Sequence, residues 1–217
     1  MTGSETTRSE ASALAAALKD YPAATIYEAA RKGLGRLQCL DPAIRPLLAG
    51  SRVCGPARTV QTHIGTLLPV IRALEAAQPG EVIVVEAGGT ARSTAWGGTF
   101  SLYASLKGIA GLVTNASVRD LAEIRALNFP VFALGASVRG ALLDRGDGAI
   151  DIPVAVGNVV IAPGDIVVGD DDGVMVVPLA DAERLLPLVR AQQAQEAEYE
   201  RLLRAGKGLR EALGMDE

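Results

Sequence analysis

The sequence predicts a single α/β domain that ends in antiparallel strands and a long helix. Three observations point to it. Val82-Ile83-Val84-Val85 is an unbroken β-branched run of the kind buried on both faces of a sheet. Strand, short loop and helix then follow one another twice between Val82 and Leu134, as parallel β-α-β units do. From Pro153 to Pro178, short apolar runs are split by Gly157-Asn158, Pro163-Gly164-Asp165 and Asp170-Asp171-Asp172-Gly173, which is hairpin punctuation.

In chain order, Ser9 to Lys19 reads as an Ala-rich helix closed by Tyr21-Pro22, because the residue before proline is pushed out of the α region. The eight residues at the start are expected to be mobile. Thr25-Ile26-Tyr27-Glu28 has capping-box form and opens a second helix, which Gly33 and Gly35 end. Arg52 to about Ile64 reads as a strand in which Gly55-Pro56 marks an edge or a bulge. Leu67 to Ala77 has helical spacing, and Pro79-Gly80 turns the chain into the Val82 strand. Ala87 to Ala91 is a loop of small residues and Trp96 to Lys107 a helix. Ile109 to Thr114 is a strand, Asn115-Ala116-Ser117 a turn, Val118 to Leu127 a helix and Val131 to Leu134 a strand. Asp181 to Ala205 forms the long helix. Leu185, Leu186 and Val189 make its start apolar, whereas Gln192 to Arg204 is mostly polar and calls for support from a neighbouring subunit.

With 217 residues, 49% of them hydrophobic and 21% charged, the chain has the size and composition of one domain, residues 1–217, with a core of its own. A formal net charge of −4 and the lack of any Lys/Arg run argue against nucleic-acid binding. No apolar run approaches the roughly 20 residues of a membrane-spanning helix, and no segment reads as an export signal. Cys39 and Cys54 share no CxxC spacing. A cytoplasmic protein is expected.

Ligands of parallel α/β units bind outside the carboxyl ends of the strands, where the next helix presents unpaired amides. Two loops meet that description. Ala87 to Gly98 is rich in small residues and ends in Gly97-Gly98, which leaves backbone amides open to close approach. Thr114 to Asp120 delivers Arg119 and Asp120 at the first turn of a helix. Neighbours on a helix point roughly 100° apart, so these two are expected to address one ligand rather than pair with each other. Arg119 offers a planar fork for a carboxylate, and Asp120 an ionised ligand for a hard cation. The plain alternative is a helix-start acid beside a surface arginine.

Other constellations are thinner. His63 is the only histidine and reads as a satisfied strand residue. Neither a Walker A sequence nor G-x-G-x-x-G occurs. Lys19, Lys32, Lys107 and Lys207 all fall in or at the ends of helices, so no Schiff-base candidate stands out. The triple-aspartate stretch lacks EF-hand spacing and reads as a solvated turn, and Trp96 as a packing residue at a helix start.

CGPARTV (Cys54 to Val60), PGEVIVVEAGG (Pro79 to Gly89), AWGG (Ala95 to Gly98), GIAGLVTNASVRDLAEI (Gly108 to Ile124), FPVFALG (Phe129 to Gly135) and PGDIVVGDDDGVMVVP (Pro163 to Pro178) together resemble one family. It contains 4-hydroxy-4-methyl-2-oxoglutarate aldolase and the regulator of ribonuclease E activity A, and the likeness is collinear over about residues 22 to 205. It implies a swivelling-type β/β/α domain with a central mixed sheet, assembled as a homotrimer or hexamer with sites between subunits. It also implies a lyase dependent on Mg²⁺ or Mn²⁺ that acts on a 2-oxo acid and releases pyruvate, by retro-aldol cleavage or oxaloacetate decarboxylation through a metal-stabilised enolate. By similarity, Asp120 ligates the metal and Arg119 binds the carboxylate and carbonyl side of the substrate. Backbone around Gly97, Gly98, Thr99 and Phe100 completes the substrate site. Glu196 of a neighbouring subunit's terminal helix is the match for a glutamate acting through water, with Glu198 and Glu200 close by. The chain departs from the aldolase pattern where an acid 21 positions before the arginine falls on Gly98. Asn115-Ala116 likewise replaces Asp-Gly, and Gly65-Thr66-Leu67 stands where Gly-Asp-Asn is common. These departures keep open a non-catalytic regulatory protein, or a family enzyme with an altered substrate.

Overall fold

The computed structural model describes residues 3–63, 65–141 and 146–215. Helices α1 (Gly3–Leu18) and α2 (Ala23–Leu34) lead into strands β1 (Arg45–Pro46) and β2 (Val53–Thr62). Then come α3 (Leu68–Ala76), β3 (Val82–Trp96), α4 (Gly98–Leu106), β4 (Gly111–Val118), α5 (Leu121–Leu127), β5 (Val131–Ala133) and β6 (Gly135–Ala136). The last third holds β7 (Gly148–Ile150), β8 (Val154–Val156), β9 (Val159–Ile161), β10 (Ile166–Asp170), β11 (Gly173–Val177), α6 (Leu179–Arg204) and α7 (Leu209–Ala212).

Nine strands form one mixed sheet whose main path runs β1-β5-β4-β3-β2-β10-β11. Strands β2, β3, β4 and β5 pair in parallel, as the β-α-β spacing predicts. β10 joins β2 and β11 joins β10 antiparallel, while β8 and β9 make a separate hairpin. The expected mixed sheet, short antiparallel end and long final helix are all present.

Alternation along β3 places the core on both faces of the sheet. Ile83 and Val85 pack with Val70, Leu74, Leu112 and Trp96 under α3, α4 and α5. Val82 and Val84 pack on the opposite face with Val154, Val156 and Ile161 of the β8-β9 hairpin. A third cluster joins Ile166, Val168 and Val177 to Leu18, Ile26, Leu185 and Val189, and so seats α1, α2 and α6 on the antiparallel wing.

Several boundaries differ from the sequence reading. β3 runs to Trp96 through the Ala87–Ala91 segment, and β4 runs to Val118 through Asn115-Ala116-Ser117, both expected as irregular. Cross-strand pairing overrides local composition there, with Thr90 facing Ala116, Thr94 facing Ser117 and Trp96 facing Val118 across register shifts. Trp96 therefore ends a strand instead of opening a helix, although it is the packing residue expected, stacked on Phe129 at 6.0 Å. β2 has the edge expected at Gly55-Pro56, within a strand that is otherwise inner. At Gly55-Pro56 it pairs only with β10, and it takes up β3 from Ala57 onward. A side chain at Gly55 would strike the Gly80 carbonyl. The expected strand end at Ile64 lies outside the described residues, and His63 is exposed just past the end of β2.

The capping box does not form. Pro22 occupies the N-cap of α2, and Asp170 of the triple-aspartate turn accepts the Ala23 N–H at 2.8 Å. Thr25 Oγ1 turns to Glu196 instead, and Glu28 pairs with Arg31 on the surface. Gly33 lies inside α2, where its missing side chain admits Leu188 of α6, while Gly35 ends the helix with φ 65°. α1 begins at Gly3, ahead of the expected Ser9.

A buried ion network with no sequence signature ties the sheet together. The Arg58 guanidinium, 2% exposed, donates to both oxygens of Glu81 at 2.9 Å and to Asp151 at 2.7 and 2.8 Å. Replacing Arg58 with Met leaves the Glu81 carboxylate buried without its partner. The expected loss is about 3 kcal/mol, read as a fall in Tm on the order of 6–12 °C for a domain of this size. Cys54, half-buried and donating to the Ala15 carbonyl at 3.3 Å, has its thiol pushed up to about 12 by desolvation, so only about one part in ten thousand is thiolate at pH 8. Mass spectrometry after brief thiol labelling of the native protein at that pH is expected to find Cys39 modified and Cys54 intact. Equal labelling of both would contradict this packing.

Candidate functional site

The two parallel crossovers end side by side. β3 hands over to α4 at Gly97, and β4 hands over to α5 at Arg119-Asp120. Both junctions lie at strand carboxyl ends, the expected place for a ligand.

Asp120 is not on the first turn of a helix, as its sequence position suggests. It is the N-cap of α5, in the left-handed region at φ 63°, ψ 44°, and its side chain makes no capping bond to its own helix. The carboxylate instead crosses to the neighbouring crossover and accepts the Gly98 N–H at 3.1 Å, capping α4. A left-handed non-glycine residue costs about 1 kcal/mol, least for Asp and Asn. A charge-assisted bond at this half-exposed position returns a similar amount. The strained backbone is thereby held by the bond that points the carboxylate into the site.

Arg119 follows the other wall. Its amide donates to the Trp96 carbonyl at 3.1 Å, which fixes the junction to the end of β3. Its side chain runs past Gly97, where an added Cβ would lie 3.4 Å from Cγ, and ends near Gly140, where one would lie 2.9 Å from Nη1. Nε lies 3.4 Å from Asp120 Oδ2, so the two residues do form a loose ion pair, contrary to the helical expectation. The left-handed turn at Asp120 replaces the 100° helical step and brings the side chains to one side. The guanidinium is half exposed and keeps donors for a ligand.

Gly97 is needed by close approach, since a side chain there would come within 2.7 Å of Asp120 Oδ2. Beyond it, α4 opens with the amides of Gly98, Thr99 and Phe100. The first is taken by Asp120, and the next two have no acceptor within the helix. The floor is Trp96, 1% exposed, fixed by its indole N–H to Ser101 Oγ at 2.8 Å and by an edge contact with Phe100 at 5.5 Å. Thr94 Oγ1 donates to the Arg139 carbonyl at 2.6 Å and ties down the segment that carries Gly140.

The result is a cavity of about 120 Å³ lined by Leu67, Thr94, Trp96, Gly97, Thr99, Phe100, Arg119, Asp120 and Ala141. Gly97, Thr99, Phe100, Arg119 and Asp120, all candidates from sequence, are thus brought together. Gly98 stands at its edge, covered by the Glu123 carboxyl group of α5, whose Cδ would lie 2.8 Å from a Cβ at that position. Glu196 is elsewhere in the chain, on α6. It accepts from Thr25 Oγ1 at 2.8 Å and Gln192 Nε2 at 2.7 Å. Glu198 and Glu200 pair with Arg201 and Arg204.

Leu67, Thr94, Ala141, Gly140 and Glu123 escaped the sequence reading, since small and apolar residues carry no chemical signature and contact across elements has no spacing. For a metal, the chain offers Asp120 facing the cavity. Among the described residues no cluster of three or more His, Cys, Asp or Glu side chains is present. A single carboxylate fits a hard cation that takes most of its coordination from water and substrate oxygens.

The chain is similar to several known proteins. A Halalkalibacterium halodurans protein provisionally named a 4-hydroxy-4-methyl-2-oxoglutarate aldolase is 41% identical over 171 residues, 78% of this chain and 80% of that one. A similarly named Burkholderia multivorans protein is 40% identical, over 65% of this chain and 85% of its own length. Among solved structures, an uncharacterised Pseudomonas syringae protein superposes with a TM-score of 0.83 at 27% identity, covering 92% and 96% of the two chains. Streptomyces coelicolor RraAS2, described as an unusual member of the RNase ES inhibitor RraA family, gives 0.76 at 32% identity over 88% and 96%. The RraA-like family model, described as Aldolase/RraA, matches residues 23–176, and with the fold of these solved structures in agreement, the chain belongs to the RraA-like family.

Proposed function

We propose that this protein is a carbon–carbon lyase of its family that releases pyruvate from a small 2-oxo acid with the help of Mg²⁺ or Mn²⁺. The observation that carries the reading is the convergence of the Arg119 fork, the Asp120 carboxylate and the free amides of α4 on one small cavity. An anion site beside a cation ligand suits a substrate with a carboxylate next to a carbonyl. At about 120 Å³, the cavity has room for a few water molecules or a ligand of a few heavy atoms. That matches a pyruvate-sized fragment and is far below the roughly 300–1,000 Å³ of pockets for larger ligands.

In this reading Arg119 clamps the substrate carboxylate through two parallel N–H donors, and the Thr99 and Phe100 amides share its charge. Asp120 would hold the cation at the carbonyl side. When bound, such an ion supplies Lewis-acid stabilisation of the negative charge that develops on the carbonyl oxygen as the carbon–carbon bond breaks. Retro-aldol cleavage and oxaloacetate decarboxylation both need that stabilisation, so one site serves both. Trp96, Leu67 and Ala141 restrict water around the reacting atoms.

Assembly as a homotrimer or hexamer is part of the proposal. Leu102, Tyr103 and Leu106 of α4 are exposed in the single chain, 81% in the case of Leu106, and are candidates for burial between subunits. Glu196 remains the residue a neighbouring subunit would contribute through water. To do so it exchanges its bonds with Thr25 and Gln192.

A second reading, a non-catalytic regulator of the ribonuclease E type, is favoured by the absence of a side chain at Gly98 and by the likeness to RraAS2. Pyruvate release from oxaloacetate and from 4-hydroxy-2-oxo diacids, measured with added Mn²⁺ and with chelator, separates the two. Metal-dependent release supports the lyase. Its absence from correctly assembled protein, with a stoichiometric protein partner retained instead, supports the regulator.

Asp120→Asn keeps both the tolerance for φ 63° and an acceptor for the Gly98 N–H, so stability should stay within about 1 kcal/mol. Metal-dependent pyruvate release should nevertheless vanish. A variant that loses both its fold and its activity would mean that Asp120 is structural only. Arg119→Ala is expected to weaken inhibition by pyruvate-type ligands more than about tenfold, the scale of a charge-assisted two-point contact. An unchanged inhibition constant would remove Arg119 from the carboxylate site.

A further inference from the structure

Gly98, the first residue of α4, is buried although it carries no side chain, because the Glu123 side chain lies over it. A Cβ at Gly98 would overlap the Glu123 carboxylate, with Glu123 Cδ 2.8 Å and Glu123 Cβ 3.0 Å away. Glu123 stands one turn beyond Asp120, its amide bonded to the Asp120 carbonyl at 3.1 Å, so both carboxylates project from the same end of α5. Asp120 Oδ2 takes the Gly98 N–H, and the Glu123 carboxylate occupies the space of the missing Gly98 side chain, so both carboxylates approach the same residue. Glu123 is exposed and has no side-chain ion pair among the described residues.

We infer that Glu123 provides the second carboxylate of the site, reaching it through the space that Gly98 leaves empty, and there supports a divalent cation on Asp120 through water. This rests on the metal-dependent reading above and adds the residue that completes it. A merely structural role is the competing account, since an acid over the start of α4 also complements that helix's positive end. The two accounts differ in what they predict for metal affinity.

The test measures Mn²⁺ affinity of the full-length protein by the loss of the free-ion electron paramagnetic resonance signal, with thermal unfolding in parallel. Glu123→Gln and Glu123→Ala are expected to weaken Mn²⁺ about tenfold or more, the scale of a lost supporting contact, with little change in Tm without metal. The exchange Glu123→Ala/Gly98→Asp moves the carboxylate into the vacated space and is expected to recover most of the affinity lost in Glu123→Ala. Gly98→Asp alone collides with Glu123 and is not expected to bind better than wild type. Wild-type affinity in Glu123→Gln, or no recovery in the exchange variant, overturns the inference. Failure of the wild-type protein itself to bind Mn²⁺ would instead overturn the metal-dependent reading, and this inference with it.

Discussion

The hydrogen bond from the Gly98 N–H to the Asp120 carboxylate joins two crossovers that share nothing in sequence. One end belongs to the start of α4, the other to the start of α5, and the bond fixes their relative position. Because Asp120 is left-handed, the chain leaves β4 with a sharp turn instead of running straight into a helix. That turn puts Arg119 and Asp120 on one side, against Gly97. Without it, the two side chains diverge and the cavity between the crossovers has no charged wall.

The sheet makes this bond possible by carrying both strands unusually far. β3 extends over 15 residues and stays paired with β4 through three register shifts, so that Trp96 and Val118 end level with each other. Each shift costs ladder hydrogen bonds but lets the strands twist and re-aim their ends. Small residues permit it. Asn115 replaces a missing ladder partner by accepting the Ala87 N–H at 2.8 Å, and Ser117 donates to the Ala91 carbonyl at 3.0 Å. Trp96 then acts both as core and as cavity floor, held by Phe129 beneath and Ser101 beside it.

On the other wing, α6 packs on α2 and the antiparallel strands through Leu185 and Val189, and its polar second half projects beyond them. Its acids are engaged within the chain, Glu196 with Thr25 and Gln192, Glu198 with Arg201 and Glu200 with Arg204. Exposed pairs one helical turn apart add little stability. They keep a long polar helix formed where tertiary packing has ended.

Much of the architecture was legible because burial imposes a period. Val82-Ile83-Val84-Val85 faces two cores, so it had to be uniformly apolar, and the hairpins near Gly157 and Asp170 needed residues that tolerate turns. Arg119, Asp120 and Gly97 were legible because loops after parallel strands are where unpaired amides collect, whereas Thr99 and Phe100 entered only through the family likeness. Composition alone could not reveal that Ala87 to Ala91 and Asn115 to Ser117 are strand, since pairing with a distant segment outweighs weak local preference. Nor could it show Asp170 capping α2, Arg58 binding Glu81 and Asp151, or Glu123 lying over Gly98. Each of these is a contact between elements brought together only by folding, and no spacing along the chain encodes it. The sequence by itself determined which segments are buried and which residues carry charge. The tertiary structure alone decided which of those charges meet, because hydrogen bonding and ion pairing require distances of a few ångströms that only the packed sheet sets.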